Sequence, residues 1–170
     1  NSMGDGIANN DYVTTSNIIG VSTLDVSYQN IADLTGIEDF TALSDLMCSQ
    51  NQLTNLELSQ NTSLSSLRCE NNQLTNLDVS GATALFDLYF YDNQLTSLDL
   101  TQNTALISLN CYNNQLTNLD VSNNTALNYL DCHFNQLTNL DVSGATALTI
   151  FNCDNNQLTN LDVSQNTALT

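Results

Sequence analysis

Leu67 and Cys69 alternate with Ser66, Arg68 and Glu70, and further on Leu77 and Val79 alternate with Asn76, Asp78 and Ser80. A period of two belongs to an extended segment with one face inward. The pattern recurs every 21 residues from Leu43 to Leu169, marked by Asn-Gln-Leu-Thr beginning at 51, 72, 93, 114, 135 and 156. A short fixed period indicates a solenoid, in which each coil buries the same positions against its neighbours. No helical period fits between the two extended segments. The sequence therefore predicts a mostly β coil with two extended walls and few or no helices. Walls of similar width predict a gently curved rod.

The repeats divide the chain into a lead-in or partial cap over 1–20, one 22-residue variant repeat over 21–42, six 21-residue repeats over 43–168, and the start of a further, truncated coil at 169–170. No helical cap is evident in 1–20. The Asn column (Asn51, Asn72, Asn93, Asn114, Asn135, Asn156) falls where the first strand must turn. Buried backbone groups there need partners, and an inward amide, both donor and acceptor, can bridge adjacent coils. Two Thr columns, from Thr54 to Thr159 and from Thr62 to Thr167, suit similar turn work.

These residues carry a resemblance. The unit Leu-x-x-Leu-x-Cys-x-x-Asn-Gln-Leu-Thr-x-Leu-Asp-Val-Ser-x-Asn-Thr resembles the leucine-rich repeats of bacterial internalins, in particular their short cysteine-bearing form. Upstream, Ile31-Ala-Asp-Leu34-Thr-Gly-Ile37-Glu-Asp-Phe40 resembles the ordinary internalin repeat. The resemblance implies a leucine-rich repeat solenoid, a right-handed coil with a parallel concave sheet and extended convex segments, secreted or displayed on a bacterial surface, that presents its concave sheet to a partner.

Charge narrows the choice of partner. One basic residue, Arg68, stands against 18 acidic ones, for a formal charge of −17. Nucleic acid is excluded as a partner because phosphate binding depends on Lys and Arg, and an anionic membrane surface is excluded likewise. No run approaches the roughly 18 apolar residues of a membrane span, and no charged-then-apolar leader opens the chain. The last coil stops mid-repeat without a polar cap, so we expect a longer natural protein, or end-to-end self-association through the uncapped C-terminal coil.

Five cysteines (Cys48, Cys69, Cys111, Cys132, Cys153) share one column, with Phe90 in the remaining coil. Side chains in register on a parallel sheet lie about 4.8 Å apart, beyond the roughly 3.5–4.5 Å between Cβ atoms that a disulfide prefers. Free thiols packed as small hydrophobes are expected. A second column is acidic: Glu57, Asp78, Asp99, Asp120, Asp141 and Asp162. At such spacing each neighbouring pair costs about 0.9 kcal/mol in water before salt screening. The flanking columns, Asn55 to Asn160 and Ser59 to Ser164, can donate hydrogen bonds in a ladder. Calcium held between coils is the alternative. Catalysis finds no footing: His133 is the one histidine, no nucleophile sits in a recognisable setting, and no Gly-rich phosphate loop is present. No cofactor and no metal ligand are assigned.

Variation concentrates on the outward positions of the first strand. One column reads Met47, Arg68, Tyr89, Asn110, Asp131, Asn152, and the next reads Ser49, Glu70, Tyr91, Tyr112, His133, Asp154. Packing does not demand these choices. The candidate ligand surface is Tyr89, Tyr91, Tyr112, Tyr129, His133 and Phe134, rimmed by Asp87, Asp92 and Asp131. Aromatic residues combine contact area with a polar handle and are enriched in binding hot spots. The reading is a non-enzymatic scaffold for protein–protein interaction, in adhesion for example, with a glycan ligand or a structural spacer as alternatives. Tyrosines placed only for cross-strand stacking would be passive surface.

Overall fold

In the computed structural model, residues 15–169 are described. Most of the lead-in or cap expected over 1–20 lies outside the described residues, as does Thr170 of the truncated coil. Within the part that is described, a single helical turn, α1 (Thr15–Ile18), precedes the first strand and buries Ile18. It is too short to show as a period in the sequence.

Strands of three residues follow: β1 (Thr23–Asp25), β2 (Asp45–Met47), β3 (Asn55–Glu57), β4 (Ser66–Arg68), β5 (Asn76–Asp78), β6 (Asp87–Tyr89), β7 (Ser108–Asn110), β8 (Asn118–Asp120), β9 (Tyr129–Asp131), β10 (Asn139–Asp141) and β11 (Ile150–Asn152). The concave wall is one seven-stranded parallel sheet in the order β1-β2-β4-β6-β7-β9-β11. Its register sets Leu46 beside Leu67, then Leu88, Leu109, Leu130 and Phe151. A leucine-rich repeat solenoid with almost no helix is thus what the chain forms. The one other helical piece among the described residues is a 3₁₀ turn at Ile37–Asp39 in the variant repeat.

We number the coils one to six from Leu43, Leu64, Leu85, Leu106, Leu127 and Leu148. Leu43, Leu64, Leu85, Leu106, Leu127 and Leu148 are fully buried, as are Leu53, Leu74, Leu116 and Leu137. Truncating such a leucine to alanine costs about 2–5 kcal/mol. The cysteine column lies in the same core, with Cys69, Cys111 and Cys132 fully buried and Phe90 filling the position in coil three. All five thiols are free. Burial pushes the Cys48 thiol up to about 12, and burial likewise raises Cys69, Cys111, Cys132 and Cys153.

The recurring Asn amides bridge coils as their position suggests. Asn93 Nδ2 donates to Cys69 O of the preceding coil at 3.0 Å and to Phe90 O of its own at 2.9 Å. Its Oδ1 accepts from Leu74 N at 2.9 Å. Asn72, Asn114, Asn135 and Asn156 repeat the same set.

The convex wall departs from a continuous ladder. Among the described residues only β3 with β5 and β8 with β10 pair there, joining coils one to two and four to five. Those are the two junctions where Gly81-Ala82 and Gly144-Ala145 replace a polar residue followed by Asn. A Cβ on Gly81 would lie 1.8 Å from Ser59 O, and one on Gly144 would lie 1.6 Å from Ser122 O. Glycine lets the convex backbones close to hydrogen-bonding distance, as in Leu58 N to Asp78 O at 3.1 Å and Val121 N to Asp141 O at 3.2 Å. At the other junctions a buried Asn spans the gap. Asn103 Nδ2 reaches Val79 O and Ala82 O, Asn124 reaches Leu100 O and Asn103 O, and Asn166 reaches Val142 O and Ala145 O, all between 2.8 and 3.3 Å. The Oδ1 atoms of Asn61, Asn103, Asn124 and Asn166 are buried without a partner, a cost the Gly-Ala junctions avoid.

Of the two columns expected to donate to the acidic one, the Ser column does so and the Asn side chain at 76 does not. Each carboxylate turns back on its own coil and accepts the backbone N–H two residues on: Glu57 from Ser59, Asp78 from Ser80, Asp99 from Thr101, Asp120 from Ser122, Asp141 from Ser143 and Asp162 from Ser164. The flanking Asn side chain at 76 bonds Asn55 instead of a carboxylate. A short local ring is open to Asp at any strand end, and it competes well with a reach to the next coil.

Candidate functional site

The concave strands hold the variable positions in register, so residues 21 apart become neighbours. Tyr91 and Tyr112 stack with ring centroids 4.5 Å apart and planes 10° from parallel. Tyr112 stacks on His133 at 4.7 Å and 21°, and His133 meets Phe134 at 5.0 Å with the planes tilted by 56°. The spacing is that of the coils themselves. Four of the residues named from the sequence therefore form one continuous aromatic ladder.

Carboxylates fix the ladder's polar ends. Tyr112 OH donates to Asp92 Oδ2 at 3.4 Å, and the Asn113 amide donates to Asp92 Oδ1. His133 Nδ1 lies 2.5 Å from Asp131 Oδ1. Burial, followed by the negative charge of Asp92, pushes the Tyr112 hydroxyl up to about 12. Burial and then Glu70 raise Tyr91, while burial and then Asp131 raise Tyr129.

A second group forms beside the ladder. Tyr89 OH shares a 2.8 Å hydrogen bond with Ser108 Oγ, and the Arg68 guanidinium carbon lies 5.2 Å from the Tyr89 ring centre. The chain's one arginine is thus already engaged by an aromatic face. Tyr129 opens β9 and donates to Asp131 Oδ2 at 3.4 Å. Asp87 opens β6, opposite Ser66 and Ser108, and is half-buried.

Other features of this face were not singled out by the sequence reading. Phe86 and Ile107 are exposed apolar side chains along the opposite rim, Ile150 is exposed at the start of β11, and Tyr28 is exposed within the variant repeat. The signal was present as a drift from Ser44 and Ser65 to Phe86 and Ile107 in one column. Glu70 Oε2 and Asn110 Oδ1, on the same wall, are buried without partners. Among the described residues no group of three or more His, Cys, Asp or Glu is placed to hold a metal ion. Nor is any helix among them long and apolar enough to cross a membrane.

Comparison with known proteins places this architecture. No protein-family model matches the chain. Internalin J of Listeria monocytogenes serotype 4b (strain F2365) is 48% identical over 51 residues, which span 30% of this chain and 6% of that protein. The crystal structure of an internalin, InlF, from Listeria monocytogenes superposes with a TM-score of 0.83 at 25% identity, covering 91% of this chain and 48% of its own. The chain is similar to internalin-type leucine-rich repeat proteins. The functional domain of InlJ from Listeria monocytogenes, which includes a cysteine ladder, aligns at 32% identity over 93% of this chain and 49% of its own, with a TM-score of 0.47. This internalin-like chain spans about half the length of those two structures.

Proposed function

We propose that this internalin-like chain is a non-enzymatic scaffold that binds another protein through the concave face from Tyr89 to Phe134. Its setting is extracellular, secreted or on a bacterial surface, with adhesion as its role. The observation that carries the reading is the ladder of Tyr91, Tyr112, His133 and Phe134, flanked by Asp92 and Asp131, on a wall whose inward columns barely change. Aromatic edges and hydroxyls set among carboxylates suit a partner with basic and apolar groups.

Protein is favoured over glycan by ring orientation. A sugar ring stacks on an open aromatic face, and in the ladder the facing surfaces of Tyr91, Tyr112 and His133 are already against one another. The test is a binding screen of the purified chain against cell-surface proteins and glycans, repeated with alanine at Tyr91, Tyr112 and His133. A protein ligand lost in the triple variant supports the reading. A ligand that binds both forms equally, or a response to glycans alone, refutes it.

A further inference from the structure

The residue before each recurring Asn turns the chain off the concave strand with a positive φ: Gln50 at 55°, Asn71 at 55°, Asp92 at 54°, Asn113 at 51°, Phe134 at 50° and Asn155 at 53°; in the variant repeat Tyr28, at 60°, holds the corresponding place. Asn and Asp tolerate the left-handed region because their short polar side chains bond locally. A phenylalanine there has its Cβ against the backbone with no such compensation. Phe134 returns little to the core, since it is 53% exposed and its ring contact is the tilted one with His133. For folding alone, Asn would serve at 134 as it does at 71, 113 and 155.

Across the face, Phe86 and Ile107, each one residue before its concave strand, are 42% and 49% exposed, so apolar groups stand on both rims. Between them lie Asp87, Tyr89, Tyr112 and Asp131, in a chain with one basic residue and 18 acidic ones. A second copy carrying the same charge of −17 would be repelled from this wall. Resting on the concave-face reading above, we propose that Phe134 is the anchor of that face, its ring projected by a strained backbone into a cationic polypeptide segment that carries apolar side chains. The strain is tolerated because the anchor needs a ring where folding would choose an amide.

The probe is a displayed library of random twelve-residue peptides, panned on the whole chain and on Phe134→Asn, Phe134→Tyr and the Tyr91/Tyr112/His133 alanine variant. Enriched peptides are expected to combine Lys or Arg with aromatic or aliphatic residues. Phe134→Asn is expected to weaken them about 30-fold while raising Tm by about 2–8 °C. Phe134→Tyr keeps the ring and is expected to bind as the parent does. Unchanged or lowered Tm in Phe134→Asn overturns the strain. Full binding by Phe134→Asn, with loss in the triple variant, overturns the anchor but leaves the concave-face reading standing. Enrichment of neutral or acidic peptides, or of none, overturns the partner class.

Discussion

Replacing Gly81 by alanine tests the account of the convex wall. The added Cβ would stand 1.8 Å from Ser59 O, 2.5 Å from Ser59 C and 2.9 Å from Ser59 Cα. All three are backbone atoms, so no side chain can swing aside and the two coils must part. Forced expansion of a packed contact costs about 1–3 kcal/mol. Separating β3 from β5, with the Leu58 to Asp78 bond, adds about 0.5–1.5 kcal/mol per hydrogen bond. The total is about 2–5 kcal/mol, or a fall in Tm of about 4–20 °C for a chain of this length. Thermal unfolding followed by circular dichroism reads it. Gly20→Ala is the control, since its Cβ would meet nothing within 4 Å. The double change Gly81→Gln with Ala82→Asn rebuilds the spacing used by the other coils and is expected to recover most of the loss. A Gly81→Ala variant within about 0.5 kcal/mol of the parent, or a double variant no better than the single, would refute the reasoning.

Asn93→Ala removes an amide that serves Leu74 N, Cys69 O and Phe90 O; unfolding in urea is expected to show a loss of about 2–5 kcal/mol, because several buried groups lose their partner together. The thiols of Cys48, Cys69, Cys111 and Cys132 are expected to resist a disulfide reagent in the native state and all to react in denaturant, with the half-exposed Cys153 reacting first. Hydrogen bonds from Thr101, Ser143 and Ser164 hold Asp99, Asp141 and Asp162 below the usual carboxylate range. Their contribution is therefore complete above about pH 4 and lost as pH falls through the lowered folded values; Asp99→Asn is expected to reduce the acid dependence of Tm below that point. In an alkaline ultraviolet titration, Tyr112→Phe is expected to delete a late-titrating tyrosine, since its hydroxyl is pushed up to about 12.

The solenoid, the leucine columns and the bridging role of Asn51 to Asn156 were legible because a repeated chain prints its packing pattern six times over. The Gly-Ala pairs at 81–82 and 144–145 were equally visible. Their meaning depends on the distance between convex backbones, which periodicity does not encode. The acidic column was legible in part: its Ser neighbours do donate to it, but from within the same coil, as Ser80 N–H does to Asp78. The concave face was readable as a list of residues and unreadable as an arrangement. Stacking of Tyr91 on Tyr112 follows from register, whereas the pairing of Asp131 with His133, and of Arg68 with Tyr89, is settled by side-chain rotamers. The left-handed column ending each strand could have been inferred from Asn71, Asn113 and Asn155, and with it the oddity of Phe134.

The bridging amides also give the rod a direction. Leu74 N of coil two is satisfied by Asn93 of coil three, Leu95 N of coil three by Asn114 of coil four, and Leu116 N by Asn135. Each coil is finished by the one synthesised after it, so order can advance with the ribosome, one turn behind the newest residues. Unzipping runs the other way: removing a coil exposes an unmet donor in its predecessor, and the loss passes toward the N-terminus one turn at a time.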